Sequence, residues 1–400
     1  MAKLELIATT AFGLEAVVAQ ELRNLGYTQL TVENGKVIFT CNELGLCRAN
    51  LWLRSADRVL LKITEFPATT FEELFQQTRA LPWEEYLPAD AEFPVLAKSV
   101  KSRLFSLSDC QAIVKKAIVE RLKETYGGSW FPENGARYTI EVSLIKDQAT
   151  LTIDTSGAGL HKRGYRQLAG QAPLKETLAA AMIQLSRWNK DRALIDPMCG
   201  TGTIPIEAAM IAQNRAPGLK RRFAAEEWPN FSAELWEEAR TEGHDLWQRE
   251  QKLHIYGSDI SHQALQLARV HAADADLADK IYFQKLPARE VGSRFEYGHL
   301  ITNPPYGERL GEREEADTAL SDLGTALARL ETWSLHVITT NKYPETLIGR
   351  RWDKSRKLYN GRLECHFYQF WGPKPPRRPR PETEETPALI ESTESEGASR

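Results

Sequence analysis

His299-Leu300-Ile301-Thr302-Asn303-Pro304-Pro305-Tyr306 is a short apolar run stopped by two prolines. The run predicts a buried strand, and Gly307-Glu308-Arg309 behind it reads as a turn. Consecutive prolines neither continue a helix nor donate to a sheet ladder, but they stiffen a loop at a strand end. Open α/β sheets place their chemistry at such strand ends. An Asn amide, a proline carbonyl and an aromatic ring suit one task there: holding a flat, amino-bearing group by its NH2 hydrogens and its face.

Outward from this stretch, helix and strand patterns alternate from about residue 173 onward. Helices are predicted at 175–188, 204–213, 262–273 and 316–330, and strands at 193–196, 254–259, 281–284, 299–302 and 334–340. Alternation of this kind implies a parallel sheet with crossover helices. The end differs: β-type runs at 356–359 and 362–370 flank Asn360-Gly361, a hairpin turn. A parallel sheet closed by an antiparallel hairpin is the hallmark of the methyltransferase architecture that uses a sulfonium cofactor.

Asp196-Pro197-Met198-Cys199-Gly200-Thr201-Gly202-Thr203 falls between a predicted strand and a predicted helix. Glycines let the backbone turn sharply and approach a ligand. A dinucleotide fingerprint needs a third glycine, where this chain has Pro205, and no Lys follows as a phosphate-binding loop requires. The acid Asp196 opposes a pyrophosphate and favours a cation; S-adenosyl-L-methionine carries a sulfonium and an ammonium. The next strand ends at Asp259, an acid placed to accept both hydroxyls of a ribose. A bare βαβ unit puts that acid about 20 residues on, so residues 213–252 read as a helical insertion, with Trp228, Trp236 and Trp247 as packing residues.

The first 165 residues mix types. Strand, helix and hairpin patterns up to residue 65 predict one small α+β unit, with Asn34-Gly35 as its hairpin turn. Residues 66–165 repeat the logic, with helices at 70–78 and 108–126 and strands at 93–97, 138–145 and 149–155. Residues 373–400 are rich in Pro, basic and then acidic residues and predict a disordered tail. The net charge of −3 advertises no nucleic-acid partner for the chain as a whole. Five widely spaced cysteines without a C-x-x-C form neither a disulfide framework nor a metal pattern. With no export signal and no long apolar span, a reducing cytoplasm is the expected location.

Three separated motifs therefore agree: the DPMCGTGT loop, YGSDIS at 256–261 and TNPPYGERLG at 302–311. Together with LHKRGYR at 160–166 and APLKETL at 172–178, they make the chain resemble the THUMP-domain RNA methyltransferases, in particular the bacterial enzymes that methylate guanine N2 in large-subunit ribosomal RNA. The resemblance covers about residues 1–372. It implies a ferredoxin-like unit at 1–65, a THUMP unit at 66–165 and a Rossmann-like methyltransferase domain at 166–372. It also implies S-adenosyl-L-methionine as cofactor and RNA, ribosomal RNA above all, as partner; because that cofactor supplies an activated methyl, an in-line displacement with no metal is expected. In this likeness Asp196 and the loop Cys199, Gly200, Thr201, Gly202 and Thr203 shape the methionine part of the cofactor site. Asp259 holds the ribose, Ile260 beside it is a further cofactor contact, and Lys175 and Thr177 lie in the segment folded over the cofactor. The family's usual acid after the third strand is absent; Gln284 stands there instead.

On this reading Asn303 and the Pro304 carbonyl, stiffened by Pro305, grip an exocyclic base amine, and Tyr306 stacks on the base. The base must leave its stack to be reached. Lys98, Lys101 and Arg103, and then Lys162, Arg163 and Arg166, are the candidate RNA contacts. The same amine clamp would serve adenine N6 in RNA or DNA, or a glutamine side chain in a protein; a catalytically silent RNA-binding module is a further alternative.

Overall fold

The computed structural model describes residues 3–128, 131–166, 174–307 and 312–376. The turn expected at Glu308-Arg309, residues 172–173 of the APLKETL motif and most of the expected tail lie outside these residues.

Among the described residues two seven-stranded sheets organise the molecule. The first contains β1 (Leu4–Thr9), β2 (Leu30–Glu33), β3 (Lys36–Cys41), β4 (Arg58–Pro67), β5 (Val95–Val100), β6 (Ile140–Ile145) and β7 (Gln148–Asp154), in the order β2-β3-β1-β4-β7-β6-β5. Gly35, at φ +74°, makes the β2–β3 turn that Asn34-Gly35 predicts. β4 and β7 pair antiparallel from Leu60↔Asp154 to Pro67↔Gln148. The two α+β stretches thus share one sheet, and the limit drawn at residues 65 and 66 falls within β4. Backbone hydrogen bonding, which has no sequence signature of its own, joins them.

Alternation sorts this sheet's faces. Leu6, Ala8, Phe39, Val59, Leu61, Val142 and Leu151 point into a core shared with α2 (Glu43–Trp52) and α4 (Leu107–Tyr126). The helices α1 (Glu15–Asn24) and α3 (Phe71–Arg79) complete this part. The opposite face carries the small cluster Ile7, Ile38 and Leu60 and lines an open groove with Thr9, Thr150 and Thr152. The helix α2 was not expected from sequence. Its signal is Asn42, whose Oδ1 accepts from Gly45 N at 2.9 Å and caps the helix.

The second sheet holds β8 (Leu194–Asp196), β9 (Ile255–Asp259), β10 (Ile281–Lys285), β11 (His299–Thr302), β12 (Ser334–Thr339), β13 (Lys354–Asn360) and β14 (Leu363–Phe370). Its order is β10-β9-β8-β11-β12-β14-β13. The first five strands run parallel, and β14 is antiparallel to both β12 and β13. β13 therefore runs with the parallel strands, and the Asn360-Gly361 tip reaches the edge where their C-terminal ends lie. α5 (Glu176–Leu185), α6 (Thr203–Ala212) and α8 (His262–Asp274) cover one face, and α9 (Glu312–Arg329) with the short α10 (Pro344–Ile348) the other. Ile301 and Ile338 point to the first layer, Leu300, Leu335 and Val337 to the second, as period two demands.

Between α6 and β9, the insertion carries α7 (Ala233–Asp245) and packs away from its own sheet. Phe223, Trp228, Phe231 and Trp236 belong to the core of the N-terminal sheet. Trp228 stacks on Tyr138 with ring centroids 4.6 Å apart, and Trp236 on Phe223 at 5.3 Å. Arg48 of α2 pairs with Glu242 of α7 at 2.6 Å. The insertion is thus a clamp that fixes the N-terminal sheet against the second one. Among the described residues no helix is long and apolar enough to cross a membrane.

Candidate active site

The adjacent ends of β8 and β9 present two carboxylates in different settings. Asp196 is buried; its Oδ1 accepts from Met198 N at 3.2 Å and from Thr302 Oγ1 at 2.7 Å. Burial pushes its pKa up to about 7, against the lowering effect of those two bonds. Asp259 is half-buried: Oδ2 accepts from Gly200 N at 2.9 Å and Oδ1 from Ser261 N at 2.8 Å. One side chain thereby pins the glycine loop to the start of α8.

The loop itself needs its glycines. Gly200 and Gly202 sit at φ +51° and +85°. A Cβ on Gly202 would come within 3.1 Å of Ala268, whereas one on Gly200 would meet open space, so the backbone there is open to a ligand. Cys199 is buried, and burial holds its thiol well above the usual range, so it is no nucleophile. Thr203 is also buried, its hydroxyl taken by Arg166 Nη2, and Thr201 O lies 3.1 Å from His271 Nδ1. Beyond Asp259, Ile260 is 69% and Tyr282 60% exposed, apolar groups left open beside the half-buried Gln284.

Asn303 follows Thr302, so the hydroxyl that donates to Asp196 ties the end of β11 to the end of β8. Pro304 is buried, and Pro305 is exposed. The Tyr306 hydroxyl donates to Asn303 Oδ1, and Asn360 Nδ2 donates to Tyr306 Oη at 3.3 Å. Thr340 Oγ1 donates to the Tyr306 carbonyl at 3.0 Å. The ring expected to stack on a base is thus held through its hydroxyl by the amide that would grip the amine, and by the hairpin tip. Asn360 was read in the sequence only as a turn residue.

Residues 160–166 and 174–177 depart most from expectation. Arg163, read as an RNA contact, is buried: it donates to the Leu160 carbonyl at 2.8 Å and pairs with Glu207 at 3.3 Å. Glu207 lies fully buried on α6 and also accepts from Tyr165 Oη at 3.2 Å. A buried carboxylate needs a cation, and Arg163 supplies it across the junction of the two sheets. Arg166 likewise turns inward, to Thr203, the Leu174 carbonyl and Glu176. Of that cluster only Lys162 is exposed. Thr177 is buried, with its hydroxyl 3.4 Å from Asp57 Oδ1, and Lys175 lines a cavity against the N-terminal unit. Lys98, Lys101 and Arg103 are exposed at the edge strand β5, where Lys98 pairs with Glu141 at 2.7 Å. Phe105 beside them is 81% exposed, an aromatic that the charge pattern alone did not single out.

Residues 163–369 match the profile of the RMKL-like methyltransferase domain, residues 5–60 that of the RlmL ferredoxin-like domain and 68–154 that of the THUMP domain. The chain belongs to the RMKL-like methyltransferase family. A Bacillus subtilis relative named "Putative RNA methyltransferase YpsC" is 48% identical over 384 residues, 96% of this chain and 100% of that protein. The "Ribosomal RNA large subunit methyltransferase K/L" of Psychromonas ingrahamii is 35% identical over 94% of this chain, which spans 51% of that longer protein. Among solved structures, a "predicted N6-adenine-specific DNA methylase" from Listeria monocytogenes is 50% identical, with a TM-score of 0.89 over 93% of this chain and 97% of that one. SMU.472 complexed with SAH is 45% identical, also at 0.89, over 94% of this chain and 100% of that one.

The fold is therefore a Rossmann-like S-adenosylmethionine-dependent methyltransferase domain behind ferredoxin-like and THUMP units, and S-adenosylmethionine is the methyl donor. The residues present fit that group. Asp196 is a buried carboxylate whose pKa is raised to about 7 while no cation among the described residues answers it, the setting that a bound cation relieves.

Proposed function

We propose that this family member methylates an exocyclic base amine of RNA, guanine N2 in large-subunit ribosomal RNA. The observation that carries the reading is the Thr302–Asp196 bond at 2.7 Å. It sets the amine clamp next to the threonine that is bonded to the carboxylate answering the cofactor's positive charge. In this reading Asp196 and the Gly200–Gly202 backbone hold the methionine part of the cofactor, Asp259 the ribose, and Ile260 with Gln284 the adenine. When bound, S-adenosylmethionine supplies a methyl group already activated on a positive sulfur.

The protein's own contribution is alignment. A base amine is a weak nucleophile because its lone pair delocalises into the ring. Asn303 Oδ1 and the Pro304 carbonyl accept its two hydrogens, localise that pair and aim it. Tyr306 Oη leaves Asn303 Oδ1 when the amine arrives, which frees the ring to lie against the base while Asn360 keeps its hydroxyl. The proton displaced from the amine passes to water.

RNA rather than DNA follows from the THUMP match at 68–154 and from the exposed Lys98, Lys101, Arg103 and Phe105, a mix of cations and an aromatic that suits a single-stranded segment. The decisive measurement is mass spectrometry of nucleosides from ribosomal and transfer RNA, with and without the gene. Loss of N2-methylguanosine from large-subunit RNA is expected; loss of N6-methyladenosine alone would replace guanine by adenine.

A further inference from the structure

Three distant parts of the chain meet around a cavity of about 290 Å³: Phe12 and Asp57 of the N-terminal unit, Lys175 and Thr177 at the start of α5, and Tyr359 with Gly361 at the hairpin tip. Asn360, between the last two, donates to Tyr306, so the hairpin tip that lines this cavity is also tied to the Asn-Pro-Pro-Tyr element. Phe12 is 54% exposed, an aromatic ring left open at this cavity. Asp57 is fixed in place: its N–H donates to Thr9 O at 2.7 Å, its carbonyl accepts from Leu160 N at 2.8 Å, and its carboxylate faces the Thr177 hydroxyl.

Asp57 and Lys175 also line the groove over the open face of the N-terminal sheet, which extends to Lys98. A strand lying in that groove would enter the cavity between an anion and a cation. That polarity discriminates between purines. Guanine's Watson–Crick edge offers an acceptor, O6, then a donor, N1–H, then the amine N2. Adenine offers the amine N6 and then an acceptor, N1. A carboxylate only accepts and an ammonium only donates.

We propose that this cavity receives the flipped target base and that Asp57 and Lys175 read its edge, Asp57 accepting from N1–H and Lys175 donating to O6, so that guanine is selected. Adenine would set acceptor against acceptor and donor against donor. With N1–H on Asp57, the neighbouring N2 is the next group along the edge, left for Asn303 and Pro304. The proposal deepens the reading of the site given above and rests on it for where the methyl group goes.

The test is binding of the full chain, with S-adenosylhomocysteine present, to short labelled RNAs whose central base is guanine, inosine, adenine or 2-aminopurine. Inosine keeps N1–H and O6 but lacks the amine; 2-aminopurine keeps the amine but offers an acceptor at N1. The guanine and inosine RNAs are expected to bind about tenfold more tightly or better than the other two, the scale of one mismatched buried hydrogen bond. Asp57→Asn and Lys175→Met should each bring that ratio toward one, with thermal midpoints recorded alongside to show that the variants fold. Equal binding of all four RNAs by the unmodified chain, or a preference that survives both substitutions, overturns the proposal. If guanine and inosine are preferred but the guanine RNA gains no methyl group from S-adenosylmethionine, the edge reading stands and the amine-transfer reading fails. Methylation without an edge preference sinks the edge reading alone.

Discussion

The active edge of the catalytic sheet has two halves built on different plans. The half proposed for the cofactor, at the ends of β8, β9 and β10, comes from residues 196–284: Asp196, the glycine loop, Asp259, Ile260 and Gln284. Its carboxylates and backbone N–H groups are organised by their own strand–loop turns, as the Asp196–Met198 and Asp259–Ser261 bonds, each between residues two positions apart, show. The half proposed for the target base is assembled from afar. Tyr306 reaches Asn360 across 54 positions, Asp57 reaches Thr177 across 120, and the Arg163–Glu207 pair holds the junction that brings them together. A cofactor that never changes can be met by local geometry, whereas a base is met by surfaces that only the finished fold brings together.

The sharpest way to separate the halves is Asn303→Ala. Methyl transfer should fall roughly 100- to 1000-fold, the usual loss when one positioned hydrogen-bonding group is removed from a reacting centre. Affinity for S-adenosylhomocysteine, measured by calorimetry, should stay put. Near-normal turnover would show that the clamp is elsewhere.

Asp196→Asn should do the converse. Cofactor affinity should drop on the order of 30-fold, from the about 2 kcal/mol or more lost when one partner of a buried charge pair goes. The pH dependence follows from the carboxyl raised to about 7. Only the ionised form welcomes the cation, so affinity in the unmodified chain should weaken about tenfold per pH unit below 7 and level off above it. The variant should lose that slope. Stability moves the other way. A carboxyl whose folded pKa exceeds its unfolded one is tolerated below the unfolded value near 4 and costs stability as pH rises toward 7. The cofactor-free variant should therefore melt higher than the unmodified chain at pH 8. The comparison belongs at that pH, because His299, held neutral by burial with its pKa near 4, withdraws stability of its own as pH falls below 6.5. A variant that melts lower at pH 8, or keeps the slope, would refute the buried-charge account.

The same division explains what the sequence disclosed. The parallel sheet, the closing hairpin and the glycine loop after β8 were legible because each depends on local rules: strand–helix alternation, Asn-Gly turns, and glycines at positive φ. The N-terminal sheet was legible strand by strand but not as one sheet, since the β4–β7 pairing leaves no trace in either strand. Arg163 was misread for a related reason. A basic residue in a polar motif looks solvated until Glu207, 44 positions away, is seen buried beside it. Asn360 and Asp57 carried no signal, because a turn residue and a residue before a strand acquire their roles only by what folds against them.

A smaller effect is expected in the target half from Asn360→Ala. It removes a donor to Tyr306 Oη that is half-exposed and 3.3 Å long. The loss should be about threefold to tenfold in methyl transfer, in keeping with the about 1 kcal/mol of an ordinary hydrogen bond. Tyr306→Phe in the same background should add little if the bond is the whole of the contribution; full additivity would show that the two side chains act apart.

The smallest effect tests whether the cofactor half is as local as it looks. Ile260 is 69% exposed and follows directly on Asp259, so truncation to Ala should hardly disturb the fold, within about 0.5 kcal/mol for a surface position. If its side chain covers the cofactor adenine, the loss appears only on binding. Removing roughly 40 Å² of apolar contact at about 25 cal/mol per Å² is worth about 1 kcal/mol, or some fivefold in cofactor affinity. RNA affinity should not move, because Ile260 lies on the β9–β10 side of the sheet and the target half on the β11–β13 side. A fall in RNA affinity with cofactor affinity intact would mean that the two halves are not separate, and that the base reaches across the sheet to the strands assigned to the cofactor.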